Sequence, residues 1–325
     1  MKLRRVRVKM TDVVCLGILV ADIVAKPVDR YPERGQLVLT GRMETHIGGC
    51  AANTAVGLAK MGVKVKIAGK VGNDALGDFL RKALHDAGVD VSGIIVDERT
   101  GTSATMVMVH SDGERSFIHY PGANGALRLD EFDIAEITNT RILDVAGTFV
   151  MPGFDGEPTA KLLAMAKERG VITCLDTVFD ATGQWMKLLE PCLPLLDYFI
   201  PSYEEARHLT GKDDPRHICD VFLEKGVKVT GVKLGEKGCY LTDGVESYHI
   251  PAFDVTPVDA TGAGDAFMAG FIVGVLKGWD LPTIGRFANA VGALCVMAIG
   301  ATGGYRSFEE TLEFMEHTPV KECKI

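Results

Sequence analysis

The sequence holds no apolar run of bilayer-spanning length, no C-x-x-C pair, no low-complexity tract and no repeat of fixed period. Each absence narrows the reading. The first leaves no candidate membrane span. Eight cysteines are scattered singly, and Cys15, Cys174 and Cys295 lie in apolar segments, where a reduced thiol acts as a small hydrophobe. Cys50, in a glycine-rich turn, is the one expected to be accessible. The missing G-x-x-x-x-G-K-[ST] sequence excludes a Walker-type ATPase. The first strand-helix unit lacks G-x-G-x-x-G, and Gly262-x-Gly264 comes too late and ends in Phe267, which argues against a dinucleotide-dependent oxidoreductase. A net charge of -8 gives no reason to expect a nucleic-acid partner.

The chain of 325 residues is 47% apolar, ample for a buried core. Lys2, Arg4, Arg5, Arg7 and Lys9 form a basic start ahead of the apolar run Val13 to Ala21. That order could be a secretory signal, but Asp22 interrupts the run early. The expectation is a basic extension over residues 1–11 leading into a buried first strand, one domain over 12–318, and a cytoplasmic protein. Gly-Val pairs at 62–63, 88–89, 170–171 and 226–227 each follow a helical pattern, so glycine ends a helix and valine opens a strand. Ala75 to Ala87 places Leu76, Phe79, Leu80, Ala83 and Leu84 on one helical face, and Val171 to Leu175 reads as a fully buried strand. This alternation predicts an α/β fold: a mostly parallel sheet covered by helices on both faces. Segments 24–46 and 100–122 break the rhythm. The second reads as a hairpin around Ser111-Asp112-Gly113-Glu114, and together they suggest a small β-sheet lid.

The strongest chemical signal is Asp259-Ala260-Thr261-Gly262-Ala263-Gly264-Asp265, followed by an apolar helix to Leu276. The small residues Gly262, Ala263 and Gly264 let backbone N–H groups approach an anion at a helix N-terminus. Asp265 in the same turn suits accepting a proton from an attacking hydroxyl; the competing reading is an acidic residue that satisfies the helix dipole. Gly48-Gly49-Cys50-Ala51-Ala52-Asn53 opens a second helix, where Asn53 offers a donor and an acceptor to a polyol hydroxyl, or simply caps a turn. Asp22 ends the first apolar strand, the place where open α/β sheets bind ligands; it could equally begin a turn.

Three segments together, Gly48 to Asn53, Gly69-Lys70-Val71-Gly72-Asn73-Asp74 with Gly77, and Asp259 to Asp265, resemble the motifs of the PfkB/ribokinase family in order and spacing. The likeness spans Val13 to Phe308. It implies a three-layer αβα core with a β lid and a kinase that moves the ATP γ-phosphoryl to a substrate hydroxyl. Asp265 corresponds to the family's base, Gly262 to Gly264 to its anion hole, and Asp22, Gly48, Gly49, Asn53 and Asn124 to its substrate positions. For ATP, Lys233, Gly235, Asn289, Ser202 and Glu205 correspond. The family's Asn-x-x-Glu reads Ser202-Tyr203-Glu204-Glu205 here, so Glu205 is kept for Mg2+, through water, while Ser202 replaces the Asn. Asp259, Thr261 and the carbonyl of Gly300 match a monovalent-cation loop, but a frequent serine is Gly304, which leaves K+ activation open. A sugar or polyol acceptor is the first expectation and a nucleoside the alternative. A homodimer through the lid is a further implication. A non-catalytic regulator on the same fold would have lost Asp265.

Overall fold

A computed structural model describes residues 11–112 and 114–322. The expected basic extension therefore lies almost wholly outside the described residues. Among the described residues thirteen strands form two sheets. The larger runs, in spatial order, β13 (Ser247–Ile250), β12 (Cys239–Thr242), β11 (Val229–Lys233), β10 (Tyr198–Phe199), β9 (Ile172–Thr177), β8 (Thr140–Thr148), β1 (Thr11–Gly17), β4 (Val65–Gly72) and β5 (Asp90–Asp97). Its pairs are parallel from β11 to β5 and antiparallel at β11–β12 and β12–β13. The smaller sheet is β3 (Arg42–Gly48), β2 (Val20–Lys26), β6 (Ala104–Val109) and β7 (Arg115–Tyr120).

Alternation along β1 shows why the larger sheet needs cover on both faces. Val14 and Leu16 join one apolar cluster, with helices α3 (Glu157–Glu168), α4 (Tyr203–Thr210) and α5 (Pro215–Glu224). Val13 and Cys15 join the other, with α1 (Cys50–Lys60), α2 (Ala75–Asp86), α6 (Ala263–Lys277) and α7 (Leu281–Val296). A last helix, α8 (Phe308–His317), packs against α7 through Phe308 and Phe287. Every residue of α6 from Asp265 to Gly274 is buried, because glycines at 270 and 274 let α7 come close: a Cβ at Gly270 would lie 2.9 Å from Ala288 Cα. Among the described residues no helix is long and apolar enough to cross a membrane.

Two expectations need correction. Val13 to Ala21 is not one strand. The chain leaves the large sheet after Gly17, whose φ is 153° and whose Cβ would lie 1.8 Å from Ala146 O; it then enters the small sheet at Val20. The small sheet accordingly begins at Val20 and runs through Gly48, not from 24 to 46. The second correction concerns the Gly-Val pairs. Each glycine has positive φ, but β4, β5, β9 and β11 start one or two residues beyond the valine. The valine N–H is already taken: Val63, Val89, Val171 and Val227 donate to Leu58, Leu84, Ala166 and Phe222 carbonyls three residues inside each helix end, the six-to-one bond of a Schellman cap.

The Gly69 to Gly77 segment is a splice. Asp74 caps α2 by accepting from Gly77 N at 2.9 Å and holds Thr102 through its N and Oγ1, both at 2.7 Å. Gly77 passes so close to Gly72 that a Cβ would lie 2.2 Å from its carbonyl. Gly17→Ala should therefore destabilise the fold by about 3 kcal/mol or more, since backbone must move. Gly62→Ala, also at positive φ but in open space, should cost only about 1 kcal/mol. Chemical denaturation of the two variants checks the contrast, and equal losses would refute it.

Candidate active site

The parallel strands β9 and β11 end at Asp176-Thr177 and Lys233, on the edge of the sheet where α6 begins. Lys233 Nζ lies 2.9 and 3.0 Å from the two oxygens of Asp176, and both side chains are nearly buried. The same ammonium sits over Gly264, where a Cβ would be 3.4 Å from it. Burial works against that charge, but Asp176, Glu205 and Asp265 outweigh it and hold Lys233 above the ordinary lysine range. A lysine beside the positive end of a fifteen-residue helix places two like potentials together, which an anion would neutralise. Gly262, the N-cap, has φ 76° and no room for a Cβ, which would be 2.6 Å from Ala301 Cβ.

Asp265, in the first turn of α6, is only 9% exposed and accepts a 2.8 Å hydrogen bond from Asn53 Nδ2 of α1. Burial raises its pKa; the Asn53 bond and the Lys233 charge pull it back. Asn53 Oδ1 is buried with no hydrogen-bond partner. Cys50 is partly exposed, the other described cysteines being buried; it packs against both apolar clusters, and burial and the nearby charge of Asp265 push its thiol pKa up.

Two cavities meet at the loop before α6, sharing Pro257 and Ala260. One, about 380 Å³, is lined by Lys233, Gly235, Ala263, Gly264 and Asn289. The other, about 450 Å³, lies between this loop and the small sheet and is lined by Asp22, Lys26, His46, Arg115, Asp259 and Gly300. Asp22 is not at the end of a core strand, as expected; it is the third residue of β2 in the small sheet, opposite His46 and Thr105. Its carboxylate explains Gly48, where a Cβ would lie 2.1 Å from Asp22 Oδ2. Burial pushes Asp22 up to about 6, opposed by Thr105 and His46 and reinforced by the nearby charge of Asp265. Gly49, the N-cap of α1 with φ 93°, has Ile18 O where a Cβ would go.

A model of the pfkB family of carbohydrate kinases matches residues 10–307. This chain belongs to that family. A Pyrococcus horikoshii protein named as a sugar kinase is 30% identical over 94% of this chain and 96% of its own. The solved ribokinase of Thermotoga maritima superimposes with TM-score 0.82 at 29% identity, over 94% of this chain and 100% of that one. A ribokinase II structure from E. coli, in complex with ATP and Mg2+, gives 0.82 at 26% identity, over 94% and 99%. The kinase thus has the expected ribokinase-like architecture, with a mostly parallel core sheet, flanking helices and a small β-sheet, and its reaction class is phosphoryl transfer to a hydroxyl.

Other residues singled out in the sequence are already engaged in this kinase. Both amide atoms of Asn124 bond the backbone of Leu19, at 3.1 and 2.9 Å, so the side chain pins the crossing between the two sheets. Asn289 Nδ2 donates to the carbonyls of Ile250 and Pro251, which leaves only its oxygen for the smaller cavity. Glu205 Oε2 accepts from Ser202 N and Thr177 Oγ1, so Glu205 also completes the capping box whose N-cap is Ser202 at the start of α4. Asp259 Oδ1 and Thr261 Oγ1 both accept from Arg115 Nη1, while the N–H of Gly300, not its carbonyl, meets Asp259 Oδ2 at 2.9 Å.

Three residues escaped the sequence reading: Asp176, Arg115 and Asp144. Asp176 carried a signal, an acidic residue at the carboxyl end of a buried strand. Arg115 carried none, since its partners are 144 and 146 residues away. Asp144, fully buried in the middle of β8, has neither oxygen hydrogen-bonded, and burial beside Asp176 and Asp265 pushes it up to about 7. A carboxyl whose folded pKa is raised favours its protonated form, so the stability it contributes is full below the unfolded value of 3.8 and is lost as pH rises to about 7. Asp144→Asn should therefore be the more stable form at pH 8, by up to roughly 4 kcal/mol, with the gap closing towards acid pH. Urea denaturation across this range measures it; a pH-independent difference would show that Asp144 does not titrate in the fold.

Proposed function

We propose that this kinase transfers the γ-phosphoryl of MgATP to a hydroxyl of a small sugar or polyol, with Asp265 as general base and the Gly262-Ala263-Gly264 turn as the anion hole. The observation that carries this reading is the Lys233 ammonium over Gly264, the residue next to a buried carboxylate, Asp265. The anion site and the base stand on the same helix end, so a phosphoryl group held there lies close to a proton acceptor. The 380 Å³ cavity lined by Lys233, Gly235 and Asn289 is taken as the ATP site, and the 450 Å³ cavity with Asp22 and His46 as the acceptor site.

The donor sets fit the cofactors. Among the described residues no cluster of three or more His, Cys, Asp or Glu could hold a metal alone, which suits an ion carried by phosphate oxygens and one or two carboxylates. Asp176 and Glu205, both acting on Lys233, are the carboxylates in position. Mg2+ supplies neutralisation of phosphate charge when bound. The protein's own part is to fix and desolvate. Lys233 and the α6 amides orient the phosphates; Asn53 holds one oxygen of Asp265, aiming the other; the small sheet walls the acceptor cavity from water. Asp265 then takes the hydroxyl proton as the hydroxyl oxygen attacks. Because burial raises its pKa, the acid limb of activity should lie above the ordinary carboxylate range.

The acidic and basic side chains of the acceptor cavity favour a polyhydroxylated acceptor over a nucleoside. ADP release from MgATP across pentoses, hexoses, keto-deoxy acids, inositols and nucleosides tests both; a nucleoside as the sole strong responder would replace the first reading. Asp265→Asn should lower turnover by about three orders of magnitude or more while ATP still binds. Near-parental turnover would remove Asp265 as the base. Removing the Asn53 bond, as in Asn53→Ala, should move the acid limb to higher pH, since that bond holds the Asp265 pKa down.

A further inference from the structure

We propose that the guanidinium of Arg115, carried by the small sheet, is the resident cation of the Asp259–Thr261 loop, and that this kinase takes no monovalent metal ion there. The inference goes beyond the kinase reading, which leaves the loop's cation open. Arg115 Nη1 donates to Asp259 Oδ1 and to Thr261 Oγ1. Asp259 Oδ1 also accepts from Thr261 N at 2.9 Å and Thr261 Oγ1 at 2.7 Å, and Oδ2 accepts from Gly300 N at 2.9 Å. Each carboxylate oxygen is thus met by donors. A potassium ion needs the opposite, a shell of oxygen atoms that replaces its water. Gly304 adds no side-chain oxygen, and none could be added, because a Cβ there would lie 2.2 Å from Leu294 O.

Charge gives the same answer. The contact sets one carboxylate against one guanidinium, and both side chains are mostly shielded, with 17% and 25% exposure. A potassium ion entering beside Arg115 would put two cations against one anion where water screens them poorly. The arrangement also has a consequence that a free ion lacks. Arg115 begins β7 and pairs with Val109 across the hairpin, while Thr261 directly precedes the anion-hole turn. The cation therefore comes and goes with the small sheet, and that sheet's position sets the shape of the loop before α6. Arg115 is a positioning residue, acting on the anion hole through Asp259 and Thr261.

Melting curves of the full chain in KCl, NaCl and choline chloride at equal ionic strength test this without turnover, so the result does not depend on the kinase assignment. The parent protein should melt at the same temperature in all three salts. A saturable, potassium-specific rise in its melting temperature would overturn the proposal. Arg115→Ala should melt lower and gain a potassium-specific rise that the parent lacks. With whichever acceptor the panel identifies, its turnover should fall about tenfold or more, the loss of one charged hydrogen bond, and added guanidinium should restore it. Arg115→Ala turning over like the parent would also overturn the idea. If that variant fails to fold, Arg115→Lys and the salt comparison on the parent still decide.

Discussion

A carboxylate held at the positive end of a buried helix is the constraint on which the rest of the site depends. As the proposed base Asp265 must be ionised, yet burial opposes its charge. Three features push the other way: the helix N-terminus, the Lys233 ammonium and the amide of Asn53. Each comes from a different element, α6, β11 and α1, so the core must bring those elements together before the charge becomes tolerable. The all-apolar surface of α6, and the glycines that let α7 close on it, follow from the same need. The helix is anchored on every side, and its N-terminus is fixed where the strands end.

Around this point the backbone is crowded and the polar atoms are not all satisfied. Gly48, Gly262 and Gly304 each stand where a Cβ would collide with a carboxylate, an alanine or a carbonyl. Below them Asp144 has no hydrogen-bond partner and Asn53 has an unused oxygen. Unsatisfied buried polar groups cost stability, and their concentration beneath one helix end is what a site selected for chemistry, not for stability, leaves behind. The large sheet supplies the stability elsewhere, through two apolar clusters that take alternate residues of β1.

The small sheet is tied into this arrangement at its two ends. Its first strand departs directly from the core at Gly17 and carries Asp22 into the 450 Å³ cavity. Its last strand returns Arg115 to the loop in front of α6. Both groups are charged, and both reach residues near α6 that are far away in sequence. The 450 Å³ cavity is therefore lined by side chains whose positions depend on how the two sheets meet.

Local chemistry determined what was legible in the sequence. Helix ends at Gly62, Gly88, Gly170 and Gly226, the buried helix after Gly264, the mostly parallel sheet and the glycine-rich turn that opens α6 all rest on interactions within a few residues, which leave a pattern in the chain. The exact strand starts did not follow, because the valine N–H groups were already bonded inside the helix caps. Tertiary structure alone decided the roles of polar side chains. Asn124, matched to a ligand position in the sequence, has its amide bonded to Leu19, and Asp259 and Thr261, matched to a cation loop, meet Arg115 from more than a hundred residues away. A side chain's chemistry is set by the partner that reaches it. Such partners are chosen by the packing of sheets and helices, and no spacing along the sequence records them.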